Sequence, residues 1–284
     1  MNERAKSLIS TAELAARLND GTLTIVDASR HLPAAQRDAR AEFDAGHIPG
    51  ARFLDLESLT DPASPVPAAV PTGDQLAQRL GSLGAVQGST IVIYDDSAVK
   101  TSARAWFILI AHGWDNVMIL DGGLAKWKAE NRPLESGETP AGPVPKADFP
   151  QITRIRSKAD MLANIETCAE QVVDARGADR VYGKGTDPVH GGENGRIPGS
   201  CNVPFGDLFN ADGTFKSPAD LRAAFEQAGV DLDRPVTATC GSGVTASVLL
   251  FALHLIGKID TALYDGSWQE WSADPATPKN KGPA

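Results

Sequence analysis

The chain repeats itself. "TIVDASR" at residues 24–30 is answered by "QVVDARG" at 171–177, and "GHIPGARFLDL" at 46–56 by "GRIPGSCNVPF" at 195–205. "STIVIYDDS" at 89–97 is answered by "RPVTATCGS" at 234–242, and "MILDGGLAKW" at 118–127 by "ALYDGSWQEW" at 262–271. Four matched segments in one order, at a nearly constant offset, are the mark of a duplicated domain. A chain of 284 residues has room for two such domains, each with a core that needs no staples. The copies read as 1–130 and 151–284; between them, 131–150 is rich in Pro and Gly, lacks periodicity and reads as a linker lying over the surface.

Within each copy, short β-branched apolar runs such as "TLTIVDA", "STIVIYD" and "VMIL" alternate with helical stretches such as "TSARAWFILIAHGW" and "ADLRAAFEQAG". Runs of that length between helical patterns predict strands buried on both faces, in a mostly parallel sheet flanked by helices. The fold class is α/β, twice over. Ligands of such sheets sit beyond the carboxyl ends of the strands, where loops lead into helices.

Composition removes several functions. A net charge of -9 without any Lys/Arg cluster excludes a surface for nucleic acid or anionic membrane, since both need a concentrated positive field. No apolar run approaches the length of a membrane span, and the start "MNERAKSLISTAELAARLND" lacks the features of a secretory signal, so a cytoplasmic protein is expected. Cys168, Cys201 and Cys240 are widely and irregularly spaced, with no C-x-x-C and no paired histidines. Neither a disulfide framework nor a zinc site fits, and free thiols are expected. Small molecules or proteins are the expected partners.

One thiol stands out. "TCGSGVTAS" places Cys240 where a strand "VTAT" stops and a helix starts, with Cys240 to Thr245 as the turn. Gly241 and Gly243 permit backbone conformations closed to other residues, so successive N–H groups from Gly241 through Val244 and Thr245, with the positive end of the helix that follows, can converge on an anion. Such a cradle favours thiolate, the nucleophilic form. Cys168, in the helical-looking "NIETCAEQVV", and Cys201, entering a strand, have no such loop and are expected as small buried apolar residues. The first copy has Asp95 where the second has Cys240; it cannot do thiol chemistry and is expected to be an inert scaffold. Asp27 and Asp174 occur in both copies and are expected to close strand ends.

"CGSGVTA", "GHIPGA", "GRIPGS", "DGGLAKW" and "DGSWQEW" together resemble the tandem-domain rhodanese superfamily over nearly the whole chain. Within it, the neutral cysteine loop is similar to that of 3-mercaptopyruvate sulfurtransferases; thiosulfate-preferring members have basic residues directly after the cysteine. The resemblance implies a two-step transfer. Thiolate Cys240 takes sulfur from 3-mercaptopyruvate as a persulfide, pyruvate leaves, and an acceptor (thioredoxin, a small thiol or cyanide) removes the sulfur. No metal or organic cofactor is implied. Arg180 in "DARGADRVYG" matches the arginine that holds the donor carboxylate, through the bidentate fork of its guanidinium. A second arginine is expected about nine residues on in such proteins; here Val189 and His190 stand in that neighbourhood, and either His190, Lys184 or Arg196 replaces it or the carboxylate is held by fewer charges. Ser242, with His47 and Asp38 from the first copy, matches a proposed proton relay, for which an imidazole is chemically suited; the alternative for His47 is a turn residue bonded to backbone. Three other readings stand beside this one: a thiosulfate sulfurtransferase, a non-catalytic rhodanese-like binding module, and a cysteine-based phosphatase. The last needs an arginine in the loop, which "CGSGVTAS" lacks.

Overall fold

A computed structural model of the chain describes residues 7–149, 152 and 154–282; residues 1–6 and the expected boundary at 150/151 lie outside them. The chain divides into two compact units: Met1–Asp61 and Val70–Ile152 with Asn210–Phe215, and Pro62–Ala69 and Thr153–Phe209 with Lys216–Ala284. The division follows the repeat apart from the two short excursions.

The first unit runs β1 (Leu8–Ile9), α1 (Thr11–Ala16), β2 (Leu23–Asp27), α2 (Ala39–Ala45), β3 (Arg52–Phe53), α3 (Gly73–Ser82), β4 (Thr90–Tyr94), α4 (Ser102–Ala111), β5 (Val117–Leu120) and α5 (Gly123–Ala129). The second runs β6 (Ile155–Arg156), α6 (Lys158–Thr167), β7 (Gln171–Asp174), α7 (Ala178–Val181), β8 (Cys201–Asn202), α8 (Pro218–Gln227), β9 (Val236–Thr239), α9 (Val244–Leu255), β10 (Thr261–Tyr264) and α10 (Ser267–Ala273). Each unit holds a five-stranded sheet, ordered β1-β5-β4-β2-β3 and β6-β10-β9-β7-β8, with every strand pair parallel. The order is the same element for element.

The sequence explains the elements. All four residues of β9 and the last four of β4 are buried, as continuous apolar strands covered on both faces must be. Helices α1, α3 and α6 begin with reciprocal capping boxes, Ser10 with Glu13, Thr72 with Gln75 and Ser157 with Asp160. From Ala246 to Leu253 helix α9 is buried on every side, which is why "ASVLLFAL" has no polar face. The duplication reaches individual hydrogen bonds. Ala28 N donates to Tyr94 O and Ala175 N to Thr239 O, both at 2.9 Å. Trp127 and Trp271 each send Nε1–H to the carbonyl of a proline a few residues on, Pro133 and Pro278.

Residues 131–149 are more than a surface linker. The backbones of His47 and Glu135 bond in both directions (2.9 and 3.0 Å), Gln87 and Asp148 exchange side-chain to backbone bonds (3.0 and 3.1 Å), and Ala147 is buried. The segment is a strap along the first unit. Pro and Gly erase the periodicity of helix or strand, yet the remaining N–H and C=O groups still need partners and find them on the domain surface. Among the described residues no helix is long and apolar enough to cross a membrane, and no group of His, Cys, Asp and Glu is arranged to hold a metal ion.

Candidate active site

Strand β9 ends at Thr239 and helix α9 starts at Val244, so the turn is residues 240–243, with Val244 and Thr245 already in the helix. Cys240 is 1% exposed and heads the turn; Ser242 and Thr245 are half-buried beside it. Gly243 is the N-cap of α9 at φ 80°, a left-handed position open to glycine, and has no side chain with which to cap the first-turn amides.

Gly241 is there for a different reason from the one expected. Its φ is not in the left-handed region; what it provides is room. A Cβ at 241 would collide with Nε2 of His190 and stand 3.3 Å from Nη2 of Arg180. Arg180 and His190, 60 and 50 places earlier in sequence by their numbers, thus lie on the backbone of the residue next to Cys240. Helix α7 presents Arg180, and the loop from α7 to β8 presents His190. Arg180 Nη2 donates to Asp187 Oδ2 at 2.6 Å, while its Nε is buried without a hydrogen-bond partner among the described residues. A buried guanidinium N–H left open costs energy until an acceptor arrives.

Ser267 is the residue that sequence reasoning missed. Its hydroxyl donates to Tyr264 O at 2.9 Å and accepts from the amides of Cys240 (3.2 Å) and Gly243 (3.1 Å). Two amides of the expected cradle are therefore committed to Ser267, and those of Gly241, Ser242, Val244 and Thr245 form the part left to a ligand. Ser267 sits at φ 51°, an uncommon conformation for a non-glycine residue. The neighbouring amides of Trp268 and Gln269 donate to Cys240 O (2.9 Å) and Gly241 O (3.0 Å), so "DGSW" is the floor of the cysteine turn. The repeat held the signal: at the same place the first unit has Gly123, whose φ is 59° and where a Cβ would meet Asp95 O at 2.5 Å.

In the first unit the equivalent loop, residues 95–101, is longer and its centre is filled by its own carboxylate. Asp95 is buried and accepts from Ser102 N (2.9 Å) and Thr101 Oγ1 (3.1 Å). Burial raises its pKa to about 6, against the opposing pull of those two donors and Lys100. The anion position is self-occupied.

His47 and Asp38 have partners within their own unit, and Cys168 and Cys201 are less buried than expected. His47 is 1% exposed and stacked on Phe43, with Nδ1 donating to Phe43 O (2.7 Å) and Nε2 lying 3.3 Å from Glu135 Oε1. Its counterpart Arg196 pairs with Asn280 through the same two backbone bonds that join His47 to Glu135, so both positions anchor the strap that follows each sheet. Asp38 is the N-cap of α2, accepting from the amides of Arg40 and Ala41 (3.0 Å each); it makes no bond to His47. Cys168 is exposed, the left-handed C-cap of α6 at φ 49°, because the helix stops at Thr167, within the stretch that looks helical. Cys201 in β8 is half-buried, and burial pushes its thiol pKa up. Asp27 and Asp174 do close strand ends. Asp27 accepts from Ser29 N at 2.8 Å, and Asp174 holds the buried Arg176 at 2.7 Å, with that guanidinium 4.6 Å from the Trp268 ring centroid.

A buried cysteine heading a strand-to-helix turn, at the carboxyl end of a parallel strand and in the second of two like sheets, defines a class. Residues 10–130 and 157–274 match the Rhodanese-like domain family, and the chain belongs to it. It is a sulfurtransferase of that family. It is similar to the 3-mercaptopyruvate sulfurtransferase of Rattus norvegicus, at 41% identity over 251 residues, 88% of this chain and 84% of the rat protein. The thiosulfate sulfurtransferase of Cricetulus griseus is 36% identical over 288 residues, 98% of this chain and 96% of its own. A crystal structure of a 3-mercaptopyruvate sulfotransferase from Escherichia coli superposes with a TM-score of 0.83 at 33% identity, covering 93% of this chain and 99% of that one.

Proposed function

We propose that this sulfurtransferase takes its sulfur from 3-mercaptopyruvate and carries it as a persulfide on Cys240. The observation that carries the reading is the pair Arg180 and His190 lying on Gly241, one residue from the thiol. A donor whose single carboxylate stands a few bonds from its sulfur suits that spacing: the sulfur meets Cys240, and the carboxylate meets the partly exposed guanidinium of Arg180.

The thiolate of Cys240 attacks the donor sulfur; the bond from that sulfur to carbon breaks, and its electron pair leaves on pyruvate as the enolate, which then takes a proton. The amides of Gly241, Ser242, Val244 and Thr245 steady the negative outer sulfur as preorganised donors steady an oxyanion. Ser242, half-buried at the turn, is the local hydroxyl for the enolate proton. His47 and Asp38, engaged within the first unit, have no part in this proposal. In the second step an acceptor thiolate, of a small thiol or a protein such as thioredoxin, or cyanide, attacks the outer sulfur and regenerates Cys240 thiolate.

Similarity to thiosulfate sulfurtransferase supports a second donor for the same chemistry. Gly241 and Ser242 bring no cation beside the sulfur, whereas a doubly charged thiosulfate gains from one. Comparison of kcat/KM for the two donors decides between them. The proposal expects 3-mercaptopyruvate to be favoured by about 10-fold or more, on the order of one lost charge-assisted contact; preference for thiosulfate would reverse the assignment.

A further inference from the structure

We infer that Asp187 is a positioning residue of the donor site, holding Arg180 and His190 over the cysteine turn without touching the donor itself. The inference rests on the carboxylate-donor reading above.

Asp187 lies in the loop from α7 to β8, closed on itself by Asp187 N to Gly192 O and Gly191 N to Asp187 O, both 3.1 Å, and by a bridge between Thr186 and Glu193. Its side chain is 0% exposed. Burying a carboxylate costs several kcal/mol unless its lone pairs are met, and here both oxygens are used. Oδ1 accepts the amides of Val189 (2.9 Å) and His190 (3.2 Å); Oδ2 accepts Nη2 of Arg180 (2.6 Å). Burial pushes its pKa up, but Arg180 and the two amides outweigh it, and the carboxyl stays below its usual range. One buried anion thus fixes the two groups that crowd Gly241: the guanidinium directly, and the imidazole through its backbone. With Nη2 tied to Asp187, the guanidinium plane is set beside Gly241, and the part of the side chain that stays exposed is held in place for a carboxylate.

A role confined to the loop makes a different prediction from a role acting through Arg180. Asn keeps an oxygen for the Val189 and His190 amides, and asparagine closes such turns as readily as aspartate. It offers Arg180 an N–H₂ instead of an acceptor. Asp187→Asn therefore spares the turn and breaks the clamp.

The test is a cycle of wild type, Asp187→Asn, Arg180→Gln and the double variant, reading pyruvate release from 3-mercaptopyruvate, with folding checked by thermal melting. Asp187→Asn is expected to raise KM by about 10-fold or more, as loss of a charge-assisted contact does, with kcat within about threefold. In the Arg180→Gln background it is expected to add little, because the clamp no longer has anything to hold. An Asp187→Asn KM within about twofold of wild type, or the same fold-rise in both backgrounds, overturns the positioning role. Should Asp187→Asn fail to fold, Asp187→Ser, which keeps an oxygen for the turn amides and removes the carboxylate from Arg180, takes its place in the same cycle, and additivity with Arg180→Gln again overturns the inference. Wild type that turns over thiosulfate but releases no pyruvate refutes the donor reading instead.

Discussion

Gly241 and Gly243 stand two places apart in one turn and are glycines for different physical reasons, so they should fail differently. A methyl group at 241 meets the His190 imidazole and Arg180, groups outside the turn, and pushes them from the donor position. Gly241→Ala is expected to lower kcat/KM for 3-mercaptopyruvate by about 10-fold or more, with a melting temperature close to wild type, since the backbone there is not strained. A methyl at 243 forces a side chain onto φ 80°. Gly243→Ala is expected to destabilise by about 1 kcal/mol and to lower the melting temperature. Steady-state kinetics and thermal melting on both variants check the pair; the same phenotype from each would contradict the distinction. At this scale the sequence was a partial guide. "CGSGVT" marked the turn, but nothing local to it revealed Ser267, which is 27 residues on by its numbering and reaches Cys240 only because β10 lies beside β9. The relay reading of His47 comes from the family resemblance; the partners of its nitrogens, Phe43 O and Glu135, the latter 88 positions away, leave no local sign.

The equivalent turns of the two units differ in how their charges are met. In the second, Gly243 opens α9 without a side-chain cap, and the strand-end carboxylate Asp174 is neutralised by Arg176. In the first, Asp95 and Asp27 are both buried carboxylates whose pKa values burial raises. The sign for Asp95 follows. Below its ordinary value of 3.8 the carboxyl is neutral both folded and unfolded, and there is no penalty. As pH rises from there through about 6 the unfolded chain ionises first, so stability is lost, on the order of 3 kcal/mol once the folded carboxyl has also ionised. Asp95→Asn is expected to melt higher than wild type at neutral pH and to converge with it toward pH 4, since asparagine mimics the protonated acid. A difference that does not change with pH would contradict this. The strands and most helices were legible because their apolar runs and capping boxes are local signals. The strap at 131–149 was not, since its bonds go to His47 and Gln87 and leave no period in its own sequence.

For the whole chain, duplication preserved the scaffold and divided the chemistry. Both sheets keep the same strand order and the same tryptophan-to-carbonyl bonds, while one turn holds Asp95 and the other Cys240. The two-domain architecture was readable without coordinates because four segments recur in order; the two excursions, 62–69 and 210–215, were not, since neither has a counterpart in the repeat. Of the three cysteines, the exposed Cys168 and half-buried Cys201 lie outside any such turn, so the account allows one sulfur per chain. The most direct measurement is the intact mass of the protein after exposure to 3-mercaptopyruvate and removal of excess donor, for wild type and Cys240→Ser. The account predicts a gain of one sulfur atom on wild type, removed by an added thiol, and no gain on Cys240→Ser; an unchanged wild-type mass, or the same gain on both proteins, would contradict it.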